Sequence, residues 1–313
     1  MPISSLKTGF ISPNSMLAGN TAYSKATGGV VTSDATHIYH TFLSTNTFTA
    51  NTALTVDILV IAGGGSSGQS TGGGNCGGGG AGGVQYSAST SMSSGVTYTC
   101  TVGAGAARPS NNVQGLNGSN SNVTGTGLSL TAAVGGGGSG NYQMNAAPSG
   151  AAGGSGGGSG QVWIYGNGTG GSPTSGQGNA GGSGVNAQNA GAGGGGAGAA
   201  GENSTSYSYI GRGGNGTSVY SSWGSATSTG ENVGGTYYYA GGGGGAPWNG
   251  TDNAGGGGRG YGGGGSATTG VNGVAGINGT ANTGGGGGGG SYSIQSMNGG
   301  LGGSGIVIIR YLK

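Results

Sequence analysis

Charge is what this chain has least of: 4% of its 313 residues are Asp, Glu, Lys or Arg, and the formal net charge is +2. Without a basic face it cannot neutralise a run of phosphates, so nucleic acid is not an expected partner. Long apolar runs are missing as well. No stretch approaches the roughly 20 residues needed to cross a bilayer, so membrane insertion is not expected. Residues 1–10 lack the apolar h-region of a signal peptide, so classical secretion is not expected either. There are six prolines and no strict Gly-X-Y repeat, which excludes a collagen triple helix. Cys76 and Cys100 are the only cysteines. They form either a disulfide or two small buried thiols, and with no third or fourth ligand nearby no metal site is expected.

Catalytic spacing is absent too. The five carboxylates, Asp34, Asp57, Glu202, Glu231 and Asp252, are scattered, with no local pair set for acid/base work. His37 and His40 stand three apart in a strand-like segment and so face opposite ways. No G-x-S-x-G marks a strand-to-helix turn, and there is no phosphate-binding G-x-x-x-x-G-K-[ST]. The expectation is a non-enzyme without a cofactor. Seven Asn-x-Ser/Thr sequons, at Asn117, Asn122, Asn167, Asn203, Asn215, Asn249 and Asn278, are what this composition produces by chance.

What the chain does have is glycine, 91 residues of it, concentrated in runs at 135–138, 193–196, 241–245, 255–258, 262–265 and 284–290. A residue without Cβ buries little apolar surface and loses the most backbone freedom on folding. Such runs are either flexible linkers or bare backbones packed so closely that main-chain hydrogen bonds replace side-chain contacts. The ordered form is an extended left-handed helix of three residues per turn, rising about 3.1 Å per residue, whose N–H and C=O groups point outward to neighbouring helices. Gly270, Gly273, Gly276 and Gly279 keep that threefold spacing. Apolar and aromatic islands recur between the runs, which a linker would not need. The reading is therefore a bundle of polyglycine-II helices within one chain.

Strand signals cluster elsewhere. Residues 37–44, 54–62, 84–92 and 96–102 are short, rich in β-branched or aromatic residues, and bounded by Gly, Ser and Asn. Residues 58–61, Ile-Leu-Val-Ile, form a continuous apolar run expected in a central strand covered on both faces. Residues 306–311, IVIIRY, repeat that character after the long glycine tract. Left alone they would be an aggregation hazard, so they are expected to pair back into the first β region and clamp the tract between two anchored ends. The domain expectation is an attachment segment at 1–36, a β-rich domain at 37–134 completed by 306–313, and a glycine-rich bundle at 135–305. The fold class is mainly β and irregular, a β-sandwich-like domain clamping the bundle, with almost no α-helix.

The order THIYHTF, FTANTALTVDILVIAGGG, CGGGGAGGVQYS, VTYTCTVGAGA, repeated glycine blocks and a terminal GGSGIVIIRY resembles the glycine-rich domains of bacteriophage tail fibres and virion adhesins. The opening ISSLKTGFISPNSMLAGNTAY is similar to N-terminal segments of cyanophage-type fibre proteins. The resemblance implies a β-sandwich bearing polyglycine-II helices on a virion, on tail or capsid, made in the host cytoplasm. It also implies variable tips that meet a host surface glycan or protein. Other virion proteins would hold the N-terminal segment, and fibres of this sort are often trimeric homo-oligomers.

The candidate tip residues come from local chemistry. Tyr among Ser, Gly and Asn suits adaptable binding, because the ring offers a large contact area with few rotatable bonds. The candidates are Tyr142, Trp163, Tyr165, Tyr207, Tyr209, Tyr220, Trp223, Tyr237, Tyr238, Tyr239 and Trp248. The competing role for each ring is to cap a bundle edge, where glycine leaves nothing else to bury. Arg212 and Arg259 are expected to bond carbonyls at rod ends. Two other functions remain open: a structural capsid fibre or decoration protein, and an ice- or surface-binding protein. The latter wants regular files of Thr or Ala, which the islands between the glycine runs do not supply.

Overall fold

The computed structural model describes residues 25–69, 75–110, 113–141, 148–161, 168–184, 190–205, 209–247, 260–265, 275–290 and 298–313. Its strands are β1 (Ala26–Thr27), β2 (Val30–Ser33), β3 (His37–Phe42), β4 (Asn46–Ala50), β5 (Leu54–Ile61), β6 (Val84–Met92), β7 (Thr97–Thr101), β8 (Asn122–Thr124), β9 (Glu231–Val233), β10 (Thr236–Tyr238) and β11 (Ile306–Leu312). The one helix among the described residues is α1 (Ser221–Thr227). The protein is thus mainly β with almost no helix, as its sequence led us to expect.

Two sheets build the first region. One has the order β2-β3-β11-β5-β6 and the other β1-β4-β7-β8. Between them lies a core in which Phe42, Ile58, Val60, Val307 and Ile309 meet Phe48, Tyr98, Cys100 and Val123. The opposite face of the five-stranded sheet carries Tyr39, Leu59, Ile61, Ile306 and Ile308 into a second core. Alternate residues of β5 and β11 therefore enter different cores, which is why both strands read as unbroken apolar runs. The terminal strand does return: β11 is the middle strand, antiparallel to both β3 and β5. At about 1.5–3 kcal/mol per buried aliphatic side chain, its four aliphatic residues at 306–309 anchor the end of the glycine tract firmly.

The sandwich begins earlier than residue 37, since β1 and β2 already belong to the two sheets. Residues 1–24, and with them most of the expected attachment segment, lie outside the described residues. The bundle likewise begins before residue 135. Residues 62–69, 75–83 and 113–119 are rods of it, because their main chains bond laterally to neighbouring rods as the later runs do.

The hydrogen-bond register displays the threefold helix directly. In residues 62–69, Ala62 and Gly65 donate to Gly83 and Gly80, Gly63 and Ser66 to Ser119 and Leu116, and Gly64 and Ser67 to Gly303 and Gly300. Each third residue thus returns to the same neighbouring rod. In residues 75–83, Gly77 and Gly80 reach Gly140 and Gly137, Gly78 and Ala81 reach Ala192 and Gly195, and Gly79 and Gly82 reach Gly287 and Gly284. Three residues per turn with lateral bonds is the geometry of polyglycine II. Glycine is required for space: a Cβ at Gly78 would sit 1.9 Å from the Gly243 carbonyl oxygen, and one at Gly64 would sit 2.1 Å from that of Gly285.

At the perimeter, side-chain amides replace the missing outer rods. Asn117 and Asn120, three apart, accept the N–H groups of Gly138 and Gly135, while Asn203 accepts from Ser183 and Asn278 from Leu301. These buried or half-buried backbone donors would otherwise lack partners. The Asn-rich composition serves the rods.

Candidate binding surface

The bundle has two unlike ends. Residues 62, 83, 134, 197, 240, 284 and 305 stand beside the sandwich, and the rods run outward from them. At the far end, polar residues replace glycine inside the bundle: Ser67, Gln69, Asn75, Asn141, Ser159 and Gln161 are all buried. Gln161 Oε1 accepts the backbone and side-chain N–H groups of Asn75 at 2.9 and 3.1 Å, Gln69 donates to Asn298 Oδ1 at 3.1 Å, and Ser67 Oγ donates to the Gly77 carbonyl at 2.9 Å. Longer side chains knit the rods where the backbone lattice stops. The described residues flanking 70–74, 142–147, 162–167, 185–189, 206–208 and 291–297 belong to this far end.

The candidate aromatics divide into three groups. Tyr142, Trp163, Tyr165, Tyr207 and Trp248 lie outside the described residues. Trp223 and Tyr239 are corrections to the expected tips: they are 3% and 0% exposed and belong to the second core. The reason is physical. The outer face of the five-stranded sheet is apolar, and bare rods offer no side chains to cover it, so residues 217–240 supply them. Trp223 stacks edge-on against Tyr39, Tyr86 and Tyr220 at 5.9–6.1 Å, and the Arg310 guanidinium carbon sits 4.2 Å from its ring centroid. Tyr239 donates from or accepts at its hydroxyl across 2.6 Å to Thr229, and burial pushes that phenol up to about 12.

The third group is partly open. Tyr220 and Tyr237 are half-buried around α1, so they belong to the same cover. Tyr238, half-buried on the β9–β10 hairpin, faces Tyr261 at 5.5 Å. Tyr209 is 51% exposed near the far end, with its hydroxyl 3.3 Å from Glu202 Oε2. Tyr86 and Tyr261, both exposed, were not singled out as site residues from the sequence; Tyr86 reads only as part of the strand at 84–92, and Tyr261 stands alone between two glycines. Arg212 is exposed beside Glu202, and Arg259 lies outside the described residues.

The described carboxylates are committed to structure. Asp34 caps its own turn, accepting the Tyr39 hydroxyl and the N–H groups of Thr36 and His37, which hold its carboxyl far below the usual range. Burial pulls the Asp57 carboxyl up, but the Ser89 N–H and Arg310 outweigh this and hold it below the ordinary value. Asp57 stands directly opposite Arg310 in the β5–β11 ladder and meets it at 2.9 Å, and on its other side it lies at a bulge in the β5–β6 ladder. Glu231 accepts the N–H groups of Gly262 and Gly263 at 2.7 and 2.8 Å. Both glycines have positive φ and form an anion-binding nest.

His37 and His40 do face opposite ways: His37 stacks on Tyr39 of the second core, and His40 on Phe48 and Tyr311 of the first. Cys76 and Cys100 are both buried and not joined by a disulfide. Burial pushes the Cys100 thiol up to about 12.

The described geometry is that of a bundle with a sandwich at one end and, at the other, the residues that flank 70–74, 142–147, 162–167, 185–189, 206–208 and 291–297. No curated protein matches this chain. Residues 41–312 match the family model described as a glycine-rich domain, and the chain belongs to that family.

Proposed function

We propose that this protein is a non-enzymatic virion fibre or tail adhesin that meets a neutral host-surface glycan or protein through the segments at the far end of its bundle. The observation that carries the reading is that the described residues flanking those segments gather at one end of a rod lattice whose other end is locked by β11. A rigid scaffold bearing loops at one end spares the loops' anchors the entropy of ordering on contact. The aromatic residues of those segments supply flat contact area, and their Ser, Thr and Asn neighbours supply hydroxyls and amides for a sugar or a polar protein surface. In this reading other virion proteins hold the N-terminal end and the protein works at the particle surface.

The test is competition. Purified protein incubated with host cells should block adsorption of the particle. A variant with Tyr142, Trp163, Tyr165, Tyr207 and Trp248 all replaced by Ala should fold with an unchanged melting temperature and fail to block. Wild-type protein that leaves adsorption untouched overturns the reading. Antibody labelling spread over the whole capsid would favour a decoration protein instead.

A further inference from the structure

We propose that the outer face of the four-stranded sheet binds the surface of ice. In sequence this face begins as two T-x-T-x-T files, Thr45, Thr47 and Thr49 along β4 and the residue before it, and Thr97, Thr99 and Thr101 on β7. The sheet register sets them side by side. Thr47 is opposite Thr99 and Thr49 opposite Thr97, and Thr45 Oγ1 accepts the Val102 N–H at 3.0 Å just beyond Thr101. Thr27 extends one row through Thr49, and Thr124 extends the next through Thr99. The alternating residues Phe48, Tyr98, Cys100 and Val123 go into the core, so the threonines all face out. The outcome is a grid of threonines, interrupted on β8 by Asn122 opposite Thr101, at about 4.8 Å between strands and about 6.8 Å along them.

Several features fit a solid surface of water better than another partner. The four strands carry no charged side chain, so nothing holds a private hydration shell against a neutral lattice. β-Branched side chains are stiff at χ1, so the hydroxyls and methyls are ordered in advance; Thr49 and Thr97 are already linked, Oγ1 to Oγ1, at 3.0 Å. The two central files occupy adjacent strands, so only one step of sheet twist separates them. Water oxygens on a prism face of ice repeat on a rectangular net of similar scale. A glycan-binding face would offer rings for stacking, and a protein interface would offer an apolar centre; this face has neither. The sequence led us to look for such files between the glycine runs, whereas they lie in the sandwich.

The experiment uses the full chain, with thermal hysteresis and partition into a slowly growing ice front as readouts. Wild-type protein should be enriched in the ice and show hysteresis. Thr99→Tyr, at the centre of the grid, and Thr47→Lys, on the neighbouring strand, should lose both. Thr205→Lys, exposed at the far end of the bundle and away from this sheet, should keep both. Tyr is well tolerated in strands, and an unchanged melting temperature confirms that each variant folds. Wild-type protein excluded from the ice overturns the proposal, as does Thr99→Tyr protein that partitions like wild type. The five-aromatic variant used for host adsorption should partition normally, so the two readings fail separately.

Discussion

The two regions of this molecule solve the same problem with opposite materials. The sandwich excludes water with side chains: Ile58, Val60, Val307, Ile309 and their neighbours fill the space between two sheets. The bundle excludes water with peptide groups, and its interior is a lattice of N–H and C=O bonds between rods. Sandwich stability follows buried apolar area, whereas the bundle depends on hydrogen bonds that are individually modest and costly to leave unmade. The difference teaches where each region is fragile. Removing bulk harms the sandwich, and adding bulk harms the bundle. Residues 217–240 lie where the two meet and carry the side chains that the rods cannot.

That junction offers the largest effect. Replacing Trp223 with Ala should cost about 3–5 kcal/mol, the usual penalty for deleting a buried aromatic ring, measured by chemical denaturation. If the loss falls below 1 kcal/mol, the cover over the second core is dispensable and the two regions are less coupled than their packing shows. The next test reverses the chemistry. Gly78→Ala adds one methyl group against the Gly243 carbonyl oxygen and should cost about 3 kcal/mol, the upper end of overpacking. Ile309→Val, which removes one methyl group from the sandwich, should cost about 1 kcal/mol. Hydrogen exchange should place the Gly78→Ala damage in the rods. Equal and small costs for both would contradict a backbone-packed interior.

Much of this division was legible in the sequence, because each region has its own signature. The apolar runs at 58–61 and 306–309 could only be strands buried on both faces, and their pairing followed from the hazard of leaving one alone. The glycine runs announced rods, because no other ordered state suits a chain without Cβ atoms. What stayed hidden depended on register. Trp223 and Tyr239 read as exposed tips because tyrosines among Ser and Gly look alike whether they bind a partner or cover a sheet. Only the position of α1 over β2 and β3 distinguishes the two. Rods such as 62–69 and 113–119 were missed because Ser, Gln and Leu interrupt their glycines. Those residues are tolerated where they face outward, as Leu116 does, or find a hydrogen-bond partner, as Ser66 does at the Leu116 N–H, Ser67 at the Gly77 carbonyl and Gln69 at Asn298. The threonine files were visible as T-x-T-x-T, but their alignment across strands was not.

A smaller effect tests the seam between the hairpin and the rods. Glu231 reaches from β9 to the paired N–H groups of Gly262 and Gly263. Glu231→Gln keeps the shape and removes the charge, so the two bonds become neutral ones. The expected loss is about 1 kcal/mol, since hydrogen bonds to charged groups are worth about 1.5–3 and neutral ones about 1. Faster hydrogen exchange at residues 260–265, with the sandwich unaffected, would mark the seam as a local element. A loss spread over both regions would show that they unfold together.

The smallest effect belongs to the sandwich alone and depends on pH. His40 is 1% exposed, between Phe48 and Tyr311. A carbonyl only accepts, so Nδ1–H donates to the Gly28 oxygen at 2.7 Å, and Nε2 accepts from the Tyr311 hydroxyl at 3.1 Å. The neutral ring is fully partnered, and burial lowers its pKa below 6.5 even though the Gly28 bond pulls it up. Between the lowered folded value and the unfolded one, the unfolded chain binds more protons. Stability from this group is therefore complete above about pH 6.5 and falls as the pH drops below it, by at most about 1.4 kcal/mol per pH unit. The fall stops once the folded ring also takes its proton. His40→Gln, which retains a donor and an acceptor, should flatten that part of the stability profile. Because Gly28 lies in the turn joining β1 of one sheet to β2 of the other, acid should first raise hydrogen exchange at residues 26–33. If exchange instead rises first in the glycine rods, which hold no histidine, then the bundle and not the sandwich sets the acid limit of the protein.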